Sequence, residues 1–238
     1  MNKRVLLIRH NHGPDDDRIA TCLAREGITA DTRRPFAGDT LDGKVEDLAG
    51  VVIYGGPYSA YETKSHPFLN DEYRVIAAAL DADIPMLGIC QGAQMIAHHA
   101  GAWVGPLPEG WHEFGYYKVT PTAAGKDILP RPLHLAQAHY HTFDIPSGAE
   151  SLASSVLFPN QAFRMGPKVY GFQFHAEQTK AGFTRWQNDF GPEEGRGVQS
   201  REEQTRLMHL HDAAQEAWFM GFLARLFPSD AEDVSNNP

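Results

Sequence analysis

Ten residues, Pro85-Met86-Leu87-Gly88-Ile89-Cys90-Gln91-Gly92-Ala93-Gln94, constrain this chain more than any other stretch. Pro85 to Ile89 is an apolar run that reads as a short buried strand. Gly92 to Ala100 reads as a helix of small residues. Cys90 stands at the junction, with Gly88 and Gly92 two positions to either side. That is the G-x-nucleophile-x-G spacing of a nucleophile elbow, with cysteine in place of serine. A tight strand-to-helix turn strains the backbone at the nucleophile and brings neighbouring backbone close. Flanking glycines remove the Cβ atoms that would collide there. The turn also aims the sulfur at the positive end of the next helix, which favours a thiolate. An isolated cysteine after an apolar strand is more often plain core. The glycines and the helix start tilt the reading towards a nucleophile, and the rest of the chain has to separate the two.

An elbow needs a sheet to stand on. Val5-Leu6-Leu7-Ile8 is a continuous apolar run, as a central parallel strand should be. Asp15 to Glu26 reads as a helix with Ile19, Cys22 and Leu23 on one face and Gly27 as its stop. Ile28 to Thr32 reads as a short second strand, and Val51 to Tyr54 as a third that ends in Gly55-Gly56-Pro57. Ser65-His66-Pro67 opens a helix whose inward stripe is Leu69, Tyr73, Ile76 and Leu80. This alternation predicts an α/β three-layer sandwich: a mostly parallel central sheet with helices on both faces. Ligands bind beyond the carboxyl ends of the strands in such sheets, where Gly55-Gly56-Pro57 and Cys90 both fall.

From Gly101 to Pro167 the helical signal fades. Tyr116 to Thr120, Leu133 to Ala138, Leu152 to Phe158 and Ala162 to Met165 read as strands of an antiparallel extension of the sheet. Lys168 to Phe174 is a further strand that runs into His175. After a charged, glycine-rich loop, Gly191 to Gly197, a last helix spans Arg201 to Leu226, with Leu207, Leu210, Ala214, Trp218, Phe222 and Leu226 on its apolar face. Residues 1–228 are expected to form a single domain. The polar, acidic stretch 229–238 is expected to be a disordered tail.

A catalytic cysteine needs a base. His175 stands at a strand end, on the rim that carries Cys90, and Glu177 lies two positions on, where it can orient the imidazole and stabilise the imidazolium. His-x-Glu alone is a weak signal; coupled to a cysteine elbow in an α/β fold it is much stronger. Backbone N–H groups of Gly56, in the loop after the third strand, and of Gln91 are placed to form an oxyanion hole. No phosphate loop is present. The histidines at 98 and 99, 139 and 141, and 209 and 211 offer no full ligand set, so no metal is expected, nor any other cofactor.

Composition narrows the partners. The net charge is −9 and Lys plus Arg total 21 of 238 residues, without a basic run beyond Arg33-Arg34, which argues against nucleic acid. No apolar stretch reaches membrane-spanning length. Two cysteines make no disulfide framework; a reducing cytoplasm fits, and leaves Cys90 free to react.

These motifs together resemble the class I (triad) glutamine amidotransferases. Gly88 to Gln94 is similar to that family's cysteine signature, and Gly171 to Glu177 to its histidine–glutamate signature, with Ala176 where proline is common. Tyr54-Gly55-Gly56-Pro57 resembles its oxyanion loop. Further similarity lies in Gly115-Tyr116, Thr142 to Pro146 and Asn160 to Arg164. The resemblance covers roughly residues 5–178 and is nearest to stand-alone relatives of the GMP synthase amidotransferase domain. It implies a flavodoxin-like amidotransferase fold and hydrolysis of the glutamine side-chain amide through a cysteine thioester. The products are glutamate and ammonia, the latter for a separate synthetase or acceptor enzyme. It also implies substrate contacts at Gln94, and at Tyr140 and His141, where relatives carry a small residue and an aspartate. That departure leaves two alternatives open: a stand-alone γ-glutamyl amide or peptide hydrolase, and a non-catalytic regulatory or binding subunit.

Overall fold

The computed structural model describes residues 3–190 and 194–228. The expected tail at 229–238 lies outside the described residues, as does the start of the Gly191–Gly197 loop. The first half of the chain runs β1 (Arg4–Ile8), α1 (Arg18–Arg25), β2 (Thr29–Arg33), β3 (Gly50–Ile53), α2 (Leu69–Asp81), β4 (Met86–Ile89) and α3 (Gln91–His99). The second runs β5 (Val104–Pro106), β6 (Glu113–Pro121), β7 (Leu133–His139), β8 (His141–Phe143), β9 (Glu150–Ser154), β10 (Ala162–Met165), β11 (Val169–Phe172), α4 (Lys180–Asp189) and α5 (Arg201–Leu226).

Among the described residues the main sheet has nine strands, in the order β2-β1-β3-β4-β11-β10-β9-β6-β7. The first five are mutually parallel, and the rest pair antiparallel. The predicted parallel core with an antiparallel extension is therefore the observed architecture. Alternation along β1 divides the core. Val5 and Leu7 pack with Ile19, Cys22 and Leu23 of α1 and Phe219 and Phe222 of α5, whereas Leu6 and Ile8 pack with Val75 and Ile76 of α2 and Ala93 and Ile96 of α3. Helices thus cover both faces. No helix among the described residues is long and apolar enough to cross a membrane.

Several details depart from the sequence reading. Helix α1 starts at Arg18 rather than Asp15, because Asp17 caps it: its carboxylate accepts from the Ile19 and Ala20 N–H groups at 2.8 and 3.1 Å. Helix α2 starts at Leu69, and that phase turns Leu69, Glu72, Val75, Ile76 and Ala79 inward, leaving Tyr73 and Leu80 half-buried. Helix α5 has the expected bounds, but Leu210 is 63% exposed. Leu207, Phe222 and Leu226 of the expected stripe are buried, Met208, Asp212, Gln215 and Phe219 join them, and Leu210 turns outward because α5 packs across β6, β7 and α1. Two elements had no counterpart in the sequence reading: α4, and the small β5–β8 ribbon.

Candidate active site

Strand register assembles the site. β4 lies between β3 and β11, with Ile53 opposite Gly88 and Phe172 opposite Ile89. The chain therefore leaves three adjacent parallel strands at one level, as Tyr54-Gly55-Gly56, as Cys90 and as Gln173-Phe174-His175. Cys90 is the N-cap of α3, with φ +49° and ψ −108°, a region side-chain-bearing residues rarely enter. Its N–H donates to the Phe172 carbonyl at 2.7 Å, which holds it there. The two flanking glycines are demanded by close approach. A Cβ on Gly92 would lie 2.0 Å from the Ile53 carbonyl oxygen, and one on Gly88 would lie 2.6 Å from the Ala93 nitrogen. The elbow thus depends on α3 pressing against β3 and β4.

His175 Nδ1 and Glu177 Oε1 are 2.7 Å apart, with both side chains almost fully buried. The His175 N–H donates to the Ala136 carbonyl of β7 at 2.8 Å, and the edge-on ring of Trp186 in α4 flanks the imidazole at 4.7 Å. Burial opposes a charge on this ring. The charges of Glu177 and Cys90, with the hydrogen bond to Glu177, outweigh it and raise the imidazole to about 10. Gly55 is the floor between the Cys90 and His175 side chains: a Cβ there would lie 2.7 Å from His175 Cε1 and 3.2 Å from Cys90 Cβ. The Ala138 carbonyl stands 3.8 Å from the sulfur.

Cys90, His175, Glu177, Gly56 and Tyr140 all border one cavity of about 690 Å³. Tyr140 is 55% exposed at its mouth, stacked on His112 at 4.4 Å. The other expected substrate contacts do not reach that wall. The Gln94 amide donates to the His141 carbonyl at 3.1 Å and to Gln173 Oε1 at 3.2 Å. The His141 ring stacks on Tyr61 at 5.9 Å, and its pKa is lowered by partial burial, against the raising effect of Glu62. The Gln91 side chain is buried behind the Gly56 loop, while its backbone opens α3.

Sequence reasoning missed the buried ionic groups around this cavity. Arg9 Nη2 donates to Asp17 at 2.5 Å and to the Tyr54 hydroxyl at 3.0 Å, and that hydroxyl donates to Asp17 at 3.0 Å. Burial, with Asp17 beside it, raises Tyr54 well above its ordinary value. His10 meets Glu72 at 3.0 Å, and His139 meets Glu113 at 3.0 Å, all four side chains fully buried. Arg18 binds Asp212 at 2.7 Å and also donates to the carbonyls of Ala176 and Gln178, on either side of Glu177. Apart from Arg9 and Asp17, which are eight positions apart, these pairs join residues 62, 26 and 194 positions apart, so neither member signals the other.

A cysteine at an elbow, a buried His–Glu pair beside it and a glycine loop facing both also invite comparison with known proteins. The family model described as "Glutamine amidotransferase class-I" matches residues 17–189, a span that includes Cys90, His175 and Glu177. The chain belongs to the class-I glutamine amidotransferase family. Among solved structures, a glutamine amidotransferase from Thermotoga maritima superposes with a TM-score of 0.84 at 29% identity, over 96% of this chain and 100% of that one. A glutamine amidotransferase from Methylobacillus flagellatus gives 0.86 at 28% identity, over 95% and 94%. Among curated proteins, the glutamine amidotransferase-like protein YfeJ of Salmonella typhimurium is 35% identical over 165 residues, 64% of this chain and 66% of that protein. A glutamine-hydrolysing GMP synthase of Campylobacter jejuni is 31% identical over 181 residues, 74% of this chain. The chain spans only 34% of that synthase's length.

Proposed function

We propose that this class-I amidotransferase hydrolyses the side-chain amide of glutamine through a thioester on Cys90, releasing ammonia for a separate acceptor enzyme. The observation that carries the reading is the buried His175 imidazole, 2.7 Å from the Glu177 carboxylate and separated from Cys90 only by Gly55, where a Cβ would touch both side chains. The Cys90 sulfur passes its proton to His175 and attacks the amide carbon. A carbon–sulfur bond forms, and the carbonyl electron pair moves to oxygen, where the N–H groups of Gly56 and Gln91 receive it. His175 returns the proton to the departing nitrogen, the carbon–nitrogen bond breaks, and ammonia leaves. Water then adds to the thioester carbon as His175 takes its proton. The carbon–sulfur bond breaks, glutamate departs, and the thiol is restored. Glu177 raises the affinity of this imidazole for a proton, which suits it to take one from sulfur and hold it until the leaving nitrogen needs it. Glu177 orients the ring and balances its charge.

Gly55 and Gly56 leave room for the carbonyl, and Tyr140 at the mouth acts on the amino-acid end. An acceptor for the ammonia fits because glutamine-hydrolysing GMP synthases are among the relatives that the chain matches. The deciding measurement is glutamate release from glutamine, with and without cell extract freed of small molecules, using Cys90→Ala as background. Slow release that extract accelerates is expected. Absence of release in every condition refutes the reading. A second reading, hydrolysis of larger γ-glutamyl amides, is favoured by the cavity volume of about 690 Å³ and by an exposed aromatic ring at its mouth. Rapid turnover of such amides with glutamine poorly used would decide for it.

A further inference from the structure

Beneath the glycine loop lies a second layer of polar contacts that the chemistry above does not use. We propose that the Gln91 side chain, backed by the buried His10–Glu72 pair, sets the separation of the two oxyanion donors; this rests on the amide-cleavage reading. Gln91 is the first residue of α3, so its backbone N–H is one donor. Its side chain turns the other way. Oε1 accepts the backbone N–H of Tyr58 at 3.0 Å, two residues beyond Gly56, whose N–H is the second donor. A backbone N–H can only donate, so the contact requires the amide oxygen on that side. One residue therefore supplies one donor and grips the loop that supplies the other.

The space around the grip is closed. A Cβ on Gly56 would lie 2.7 Å from Gln91 Oε1 and 2.4 Å from His10 Cβ, so the loop is wedged between these two side chains. His10 cannot yield, because its Nε2 sits 3.1 and 3.0 Å from the two oxygens of Glu72, in a pair with no solvent exposure. The Gln91 Nε2 donates to Met95 Sδ at 3.8 Å, which with the Tyr58 contact at Oε1 fixes the amide plane. The Tyr58 ring packs edge-on against His10 at 6.1 Å and Phe68 at 5.0 Å, so the far end of the loop is anchored as well. Glu72 belongs to α2, so the arrangement ties the oxyanion loop to two helices on one face of the sheet. Gln91, His10 and Glu72 are positioning residues: they act through the Gly56 and Gln91 N–H groups and leave the thiol and imidazole alone.

The test separates the oxyanion hole from the nucleophile. Gln91→Met keeps the length and removes the acceptor, Gln91→Asn withdraws it by one methylene, and Gln91→Glu restores an acceptor oxygen. Each is compared with wild type in kcat and KM for glutamate release. Two further readouts are affinity for glutamate γ-semialdehyde, which adds to the thiol and places an oxyanion in the hole, and the rate at which iodoacetamide alkylates Cys90. Loss of one oxyanion donor costs about 10²–10³ in kcat; a donor displaced rather than deleted should cost about 10–100-fold. We expect Gln91→Met and Gln91→Asn to lose that much in kcat and in aldehyde affinity, with KM and alkylation rate little changed, and Gln91→Glu to recover most of it. Wild-type kcat in both Gln91→Met and Gln91→Asn overturns the proposal, as does a loss confined to KM, or a parallel loss of alkylation rate. If Gln91→Met fails to fold, Gln91→Asn against Gln91→Glu carries the comparison. A wild-type protein that forms the aldehyde adduct yet cleaves neither glutamine nor any γ-glutamyl amide refutes the amide-cleavage reading, while aldehyde affinity still reports on the grip. Failure of the adduct as well refutes both.

Discussion

Glu177→Gln keeps the shape of the His175 orienter and removes its charge. Burial pulls the His175 imidazole down, and the charges of Glu177 and Cys90, with the hydrogen bond to Glu177, raise it from 6.5 to about 10. At about 1.4 kcal/mol per pKa unit, that preference for the imidazolium is on the order of 5 kcal/mol. An opposite charge in contact typically contributes about 1–3 pH units of it. In Glu177→Gln the ring midpoint should therefore fall by about that much, and kcat/KM should drop about 10²-fold, the lower end of what acid–base catalysis contributes. His175→Ala should cost far more, because it removes the base itself. A carbon-13 label at histidine Cε1 reads the midpoint, and steady-state glutamate release reads the rate. The sign extends to stability. A folded-state pKa above the unfolded value gives stabilisation that is fully present below about 6.5 and lost as pH rises through about 10. Urea unfolding at a series of pH values should show that loss at lower pH in Glu177→Gln. A midpoint that stays near 10 with kcat/KM within a few-fold of wild type would refute the reasoning.

A glutamine-like electrophile should modify Cys90 and spare Cys22, whose thiol burial pushes up, with Glu26 adding to the rise; mass mapping that finds label only on Cys22 would sink the nucleophile assignment. Gly92→Ala should destabilise the fold by about 1–3 kcal/mol or more and remove activity, because the new Cβ meets the Ile53 carbonyl at 2.0 Å; thermal melting tests it. Arg18→Met should cost about 3–5 kcal/mol in urea unfolding by stranding buried Asp212, and Arg18→Met with Asp212→Leu should recover much of that.

What the sequence made legible is what periodicity and glycine spacing encode. The parallel strands, the elbow at Cys90, the strand-end histidine and the bounds of α5 all follow from local pattern. Helix α4 did not, because its apolar repeat is only Phe183, Trp186 and Phe190, too short to stand out among polar neighbours; Thr179 caps it by accepting from Gly182 N–H at 3.1 Å. Glu72 lies on α2 where an acidic residue ordinarily reads as solvent face, yet it is fully buried against His10, 62 positions away. The same holds for Arg18 and Asp212, which are 194 positions apart. Long-range charge pairing leaves no periodic trace, so the polar supports of the site appear only once the chain is folded.

The packing of α5 against β1 also sets a schedule for biosynthesis. Val5 and Leu7 share one core with Phe219, Phe222, Leu223, Leu226 and Phe227, and the Phe227 ring closes over Gly50 so tightly that a Cβ there would lie 2.2 Å from it. At roughly 5–20 residues per second, a ribosome makes the first of these about ten to forty seconds before the last. Throughout that interval α1 is the only helix on one face of the central strands, and the nascent chain carries an apolar surface that its own late-made helix completes.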